Sequence, residues 1–410
     1  MSPSANMSRP VELIFLGTGT SSSIPHVDCL TNPPDGRRCR TCLSTLTPEG
    51  KRNIRRNTSA VIRMAAPKDG RDVTIVIDAG KTFQAAAVEW FPKYGLRKID
   101  ALLITHPHAD AMNGLDDLRG WTLSKRIQEH IDVYVSQNTF TEVQRCFPYL
   151  VSKEFASGGG DVPEFKWHII DDKVPFEIED TGIMVTPFSV HHGRVFSTPP
   201  CPSTMSTPAT IPSTPTTSQM SQMTLKDSLD KLSNGTVSPS RRSLNGKDVI
   251  QPYYCFGFKV QEDIVYLSDT SYIPEDAMDI ILPSPTDDSR LPLFILDCLH
   301  LRPHTSHFGV VSAVDTARRV GALRTYLTGF SHEVSHEEWV RITEVVSSGK
   351  LPAQPTGQWL DEITDMEQQA LGMTMKEGEN AVTWIRPAFD GLRIWVDNDI
   401  DQKTVRDNAY

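Results

Sequence analysis

THPHADAMNGLDD, at residues 105–117, decides the reading of this chain. The run IDALLITH (99–106) leads into it as a buried strand. His106 and His108 then stand two apart, and in extended backbone side chains at i and i+2 point the same way. Both imidazoles can reach one cation. Asp110, two residues further, adds a carboxylate. Imidazole with carboxylate suits zinc and similar divalent ions. One histidine alone would be read as structural. Two histidines and an aspartate within five residues, directly after a strand, point to a metal centre.

Further ligands of the right type follow at strand ends. His191-His192 come after GIMVTPFSV (182–190), and Asp269 closes DIVYLSD (263–269). Outward from these, VELIFLG (11–17), SAVIRMA (59–65), VTIVIDAG (73–80), VYVS (133–136), FGFKV (256–260), LFILDC (293–298), LRTYLTG (323–329) and LRIWV (392–396) read as strands, being β-branched and apolar. Phe83, Ala86, Ala87 and Trp90 are spaced for one buried helix face, and VVSAVDTARRVG (310–321) reads as a helix ending at Gly321. Strands in series with helices between them predict packed layers, sheets inside and helices outside.

The chain has 410 residues, 39% of them hydrophobic, and a formal net charge of -10. That balance argues against nucleic acid as the partner, because phosphate binding wants clustered Lys and Arg. Arg37, Arg38, Arg40, Arg52, Arg55 and Arg56 do cluster, as a local basic pocket or a solvated face. Nothing approaches the roughly 20 apolar residues of a membrane span. MSPSANMSRPVEL lacks the apolar core of a secretion signal. Seven unevenly spaced cysteines suit a reducing compartment, cytosol or nucleus, where grouped cysteines bind metal more often than they form disulfides.

Residues 195–247 differ in kind. Ser, Thr and Pro dominate, and such a segment cannot offset its chain entropy by burial. It reads as a disordered insertion, with Ser238-Pro239 beside Arg241-Arg242 as a candidate kinase site and the segment as a docking place for a regulatory partner. A second insertion, acidic and Met/Gln-rich, spans roughly 353–380. The rest, 11–400, reads as a single domain.

With these pieces assembled, the chain resembles the metallo-β-lactamase-fold hydrolases. Within them it is most similar to the phosphoribosyl cyclic phosphodiesterase of carbon–phosphorus bond breakdown and its eukaryotic relatives. LGTGTSSSIP (16–25), RRNTSAVI (55–62), IDAG (77–80), GLDDLR (114–119), LSDT (267–270), SHF (306–308), TGFSH (328–332) and FDGL (389–392) occur in that family's order. The resemblance implies a four-layer αββα sandwich. It places the first metal on His106, His108 and His192, the bridging carboxylate on Asp269, and a second-metal ligand on Asp110. It puts the proton-donating histidine at His307, with His304 and His300 weaker candidates. Asp78 and Asp297 are expected to orient the histidine ligands, with His304 also in that outer shell. Cys29, Cys39 and Cys42, with His332, match a structural zinc cluster, the alternative being free thiols; Cys146, Cys201, Cys255 and Cys298 look solitary.

The sequence also departs from the family. Ala111 and Gly329 stand where the second metal's two imidazoles would be. Either one metal is bound, or a second uses Asp110, Asp269 and Asp116 or Asp117. The expected cofactor is therefore zinc, one or two ions at the centre with manganese as the substitute, and one structural zinc. The expected activity is hydrolysis of a small phosphodiester, cyclic or open, with Asp110 or Asp269 orienting the nucleophile and His307 as acid. The competing readings are hydrolysis of a thioester, a lactone or RNA on the same fold, and a non-catalytic metal-binding scaffold.

Overall fold

A computed structural model describes residues 9–31, 39–158, 161–195, 251–283, 290–348, 365–374, 383–398 and 403–410. Nearly all of the expected 195–247 insertion lies outside them, as do Arg37, Arg38 and Cys201. Of the second insertion, Asp365–Thr374 is described and is helical. No helix among the described residues is long and apolar enough to cross a membrane.

Two mixed sheets face each other. The first has the order β15 (Lys403–Asp407), β14 (Arg393–Asn398), β1 (Val11–Gly17), β2 (Ser59–Ala65), β3 (Asp72–Ile77), β4 (Ala101–Leu103), β5 (Ile131–Val135), β6 (Phe165–Ile169). The second runs β13 (Ile385–Pro387), β12 (Arg324–Thr328), β11 (Leu293–Asp297), β10 (Ile264–Tyr266), β9 (Pro252–Val260), β8 (Met184–Arg194), β7 (Phe176–Glu177). Each sheet is antiparallel at one side and parallel at the other: β3 to β6 are parallel in the first, β10 to β13 in the second. The two halves thus repeat a plan that no sequence period betrays.

The strands carry apolar residues on both faces, as buried sheets must. One core lies between the sheets, where Leu13, Phe15, Ile62 and Ile75 meet Phe258, Tyr266, Ile295 and Tyr326. A second lies where Val76, Leu102 and Val133 pack under the helix Phe83–Tyr94. A third joins Phe294, Leu296 and Leu327 to the helices Glu275–Ile281, Val310–Val320 and His336–Ser348. Three cores separate four layers, α/β/β/α, as the resemblance implies. The helix expected to stop at Gly321 does so, with that glycine left-handed at φ 63°.

Several strands differ from expectation. β8 runs to Arg194, so His191 and His192 lie within a strand rather than in a loop after one. Strands β6, β13 and β15 and the helices Gln137–Cys146 and His336–Ser348 were not anticipated. β15 and β6 are the two outer strands of their sheet and only half buried, so they carry little apolar signal. At one end of the sandwich the parallel strands β4, β10, β11 and β12 finish together, which is where open α/β sheets place ligands.

Candidate metal centre

Three imidazoles meet at that end. His106 and His108 follow β4 in extended backbone, and His108 caps the short helix Ala109–Met112 at φ -83°, ψ 159°. His192 comes from β8 on the opposite sheet. His192 Nε2 lies 3.2 Å from His108 Nδ1, and one ring nitrogen from each of the three residues falls within 4.8 Å of the others.

Hydrogen bonds fix which nitrogen two of the rings present. The Thr105 hydroxyl gives its proton to Asp78 Oδ2 at 2.8 Å, so at 2.8 Å from His106 Nδ1 it can only accept. His106 Nδ1 therefore carries the hydrogen and Nε2 a lone pair. That Nε2 is buried and has no hydrogen-bond partner. His192 Nδ1 donates to the Ser306 carbonyl at 2.8 Å, which again frees Nε2. Burial, and then the neighbouring rings, hold His106 well below the ordinary imidazole pKa. Burial and His192 lower His108 as well. Three imidazoles with converging ring nitrogens, one of them buried and unpartnered, fit a divalent cation. Asp269 Oδ2 lies 3.8 Å from His106 Nε2 and offers a fourth donor.

Asp110 is placed differently. It sits in the first helical turn after His108, where one oxygen accepts from Ser21 Oγ at 2.5 Å and the other is buried without a hydrogen-bond partner. It stands outside both ligand trios found here, His106/His108/His192 and His192/Asp269/His307. Asp116 is taken up by Arg119 at 2.6 Å and the Tyr149 hydroxyl at 3.1 Å. Asp78 reaches His106 only through Thr105, whose N–H it also accepts at 2.8 Å. Asp297 does not orient a ligand of the trio His106/His108/His192. It accepts from His307 Nδ1 at 3.0 Å, because residues 299–309 fold back over the end of β11. His307 Nδ1 is also 3.5 Å from Asp269 Oδ1. Burial pulls the His307 pKa down, but the charge and hydrogen bond of Asp297, then Asp269 and Asp110, outweigh it and raise the pKa to about 9. His304 is tilted against His307 at 5.7 Å between ring centroids and bonds Ser306 Oγ at 3.0 Å.

Two neighbours escaped the sequence reading. Tyr253 stacks on His108 at 4.8 Å with the rings 2° from parallel. It shares the face of the β8–β9 pair that carries His192, while His191 faces Tyr254 on the other side. Cys255 is not solitary: its Sγ is 3.6 Å from His106 Nδ1. Only the cross-strand register reveals either contact.

A second cluster lies beyond β12. His332 Nδ1 is 3.3 Å from Cys29 Sγ, 3.6 Å from Cys39 Sγ and 3.5 Å from Cys42 Sγ, all within one 4.8 Å set. Three sulfurs around one ring nitrogen fit a closed Cys₃His site. Burial first, and then the neighbouring Cys39 and Cys29, push the Cys42 thiol up to about 12, so thiolate there would have to be drawn out by a cation. Arg55 is buried beneath, donating to the Ser331 and Val334 carbonyls over the Phe330 ring. Arg40 pairs with Glu338 and Arg56 with Glu89, while Arg52 lies over Phe389, so the described arginines form separate contacts rather than a basic pocket.

Comparison with known proteins agrees with the fold. Residues 73–207 match the model of the Beta-lactamase superfamily domain. A solved diphosphatase of the PhnP family shares the fold, with TM-score 0.56 and 21% identity, over 94% of this chain and 97% of that one. So does the Zn(2+)-bound PqqB of Methylobacterium extorquens, with TM-score 0.52 and 14% identity, over 93% of this chain and 99% of that one. An octanoyltransferase of Porphyromonas gingivalis is 31% identical over 182 residues, 44% of this chain; the match spans under a third, 31%, of that protein's length.

Proposed function

We propose that the chain, which adopts the metallo-β-lactamase fold and matches the Beta-lactamase superfamily domain over residues 73–207, is a metal-dependent hydrolase of a small phosphodiester. One observation carries the reading: a histidine held by a buried carboxylate, His307 on Asp297 at 3.0 Å, stands beside the three-imidazole cluster. A simple metal-binding scaffold has no need of it, whereas a phosphodiester's alkoxide leaving group must be protonated as it departs.

His106, His108 and His192, with Asp269, would hold the cation. Zinc suits that donor set, with manganese as the substitute. Such an ion supplies a water of lowered pKa and neutralises charge on a phosphoryl oxygen. The protein's own groups do the rest. Asp110 and Asp269 accept hydrogen bonds from the attacking water and set its direction. Asp297 accepts a hydrogen bond from His307 Nδ1, which leaves Nε2 to give its proton to the departing oxygen. Thr105 and the Ser306 carbonyl keep His106 and His192 in the ligating tautomer. Tyr253, flat against His108, walls the site. Cys29, Cys39, Cys42 and His332 would hold a structural zinc that pins the N-terminal loop to the one after β12.

The test is turnover of bis(p-nitrophenyl) phosphate and of cyclic phosphodiesters by the wild type and His307→Ala, with metal content measured on both. Loss of roughly 10²–10⁴ in kcat with metal retained supports the reading. Hydrolysis of thioesters or lactones in place of phosphodiesters refutes the substrate class. No hydrolysis at all from metal-loaded protein favours the scaffold.

A further inference from the structure

We infer that the active centre holds a single cation, with the Asp297–His307 pair standing where a second would sit. This deepens the hydrolase reading and rests on it.

Four observations carry it. Ala111, where the resemblance would put one imidazole, offers only a methyl. It is 1% exposed, and its carbonyl accepts from the Ala79 N–H at 2.8 Å. Gly329, where the other imidazole would be, has no room for any side chain. Its φ is +78°, and a Cβ there would lie 2.4 Å from Asp297 Oδ1. A side chain at 329 and the present Asp297 carboxylate exclude each other. Nor is Asp297 free to swing aside. It is fully buried, and Oδ2 accepts from the Thr270 N–H at 3.2 Å, the Phe308 N–H at 3.2 Å and His307 Nδ1 at 3.0 Å. Finally, that Nδ1–H also lies 3.5 Å from Asp269 Oδ1. A hydrogen-bond donor therefore occupies the gap between the two carboxylates that a bridging dication would need. Asp269 divides its oxygens, Oδ2 toward His106 and Oδ1 toward His307.

Two arrangements compete: the trio His192/Asp269/His307, whose His192 already belongs to the first trio and whose His307 turns Nδ1 to Asp297, and a second site of carboxylates alone. Asp110 Oδ1 and Asp297 Oδ1 are both buried and without hydrogen-bond partners. Asp297 Oδ1, however, faces the space a Cβ at 329 would fill, and neither Asp110 nor Asp297 joins a ligand trio among the described residues.

The experiment counts metals on the full chain by plasma mass spectrometry, then reloads metal-free protein with Mn(II) for electron paramagnetic resonance. The expected result is two metals per wild-type chain, one of them lost in the Cys39→Ser/Cys42→Ser variant, and a single-ion Mn(II) spectrum from the centre that remains. Three metals per wild-type chain, or an exchange-coupled manganese spectrum, overturns the single-cation inference and leaves the hydrolase reading intact. No metal outside the cysteine cluster overturns both. The wild-type count and spectrum decide even if the cysteine variant fails to fold.

Discussion

Replacing Asp297 by Asn tests the acid directly. Asn keeps the shape of the side chain, and its amide oxygen can still accept from the Thr270 and Phe308 N–H groups and from His307 Nδ1. What it removes is the charge, which with the hydrogen bond is what lifts His307 to about 9 against the pull of burial. A general acid must hold its proton, so turnover should persist below that value and fall as pH rises through it. Without the Asp297 charge the falling limb moves down toward the ordinary imidazole value of about 6.5. At pH 8 the protonated fraction then drops from nine-tenths to a few per cent, a loss of about 30-fold in kcat, while at pH 6 the loss is under about twofold. The assay is kcat against pH for both proteins on one phosphodiester, with metal content matched. A uniform loss at every pH would refute the reasoning, for it would mean Asp297 acts on something other than the protonation of His307.

His336 predicts a pH-dependent stability. It is buried among Arg55, Arg52, Phe389 and Tyr410, and burial with the two arginines lowers its pKa to about 3. The folded form holds it neutral while the unfolded chain protonates near 6.5, so its contribution is full above that value. It is lost as pH falls toward 3, at roughly 1.4 kcal/mol per pH unit. Denaturant midpoints of His336→Gln should fall less steeply than the wild type between pH 6 and 4.5; parallel curves would exclude the burial argument. Trp339→Ala empties the largest fully buried side chain among the described residues, tilted against Phe330, and should cost about 3–5 kcal/mol in urea unfolding. Gly329→Ala should cost about 1–3 kcal/mol from its left-handed backbone alone. Because the new methyl meets Asp297, it should also depress turnover, and an unchanged kcat would show that the carboxylate can move.

What the sequence disclosed, it disclosed through local geometry. The His106-x-His108 spacing at a strand end, the Gly321 stop and the apolar central strands are each written in neighbouring residues; their order implies packed layers, and the family resemblance makes those layers four. What it hid depends on partners far along the chain. Tyr253 reaches His108 only through the β8–β9 register, and Asp297 serves His307 only because the 299–309 segment returns over β11. Asp110 looked like one more donor in an extended run. The turn into a helix after His108 swings it toward Ser21 instead. The strands β13 and β15 are short, partly polar and at sheet edges, one holding Pro387, so neither alternation nor β-propensity marks them.

The place of β1 has a consequence for how the molecule is made. β1 lies between β2 and β14, with Val11 opposite Val396 and Leu13 opposite Ile62. Synthesis delivers one neighbour, β2, early and the other, β14, far later. While the ribosome works through the intervening residues, one rim of the apolar strand VELIFLG has its amide and carbonyl groups unpaired, a template for any extended chain that passes. The nascent protein should therefore be most prone to associate with other chains just before residues 393–398 emerge. Ribosome-bound chains halted before that point should crowd chaperones more than chains halted after it.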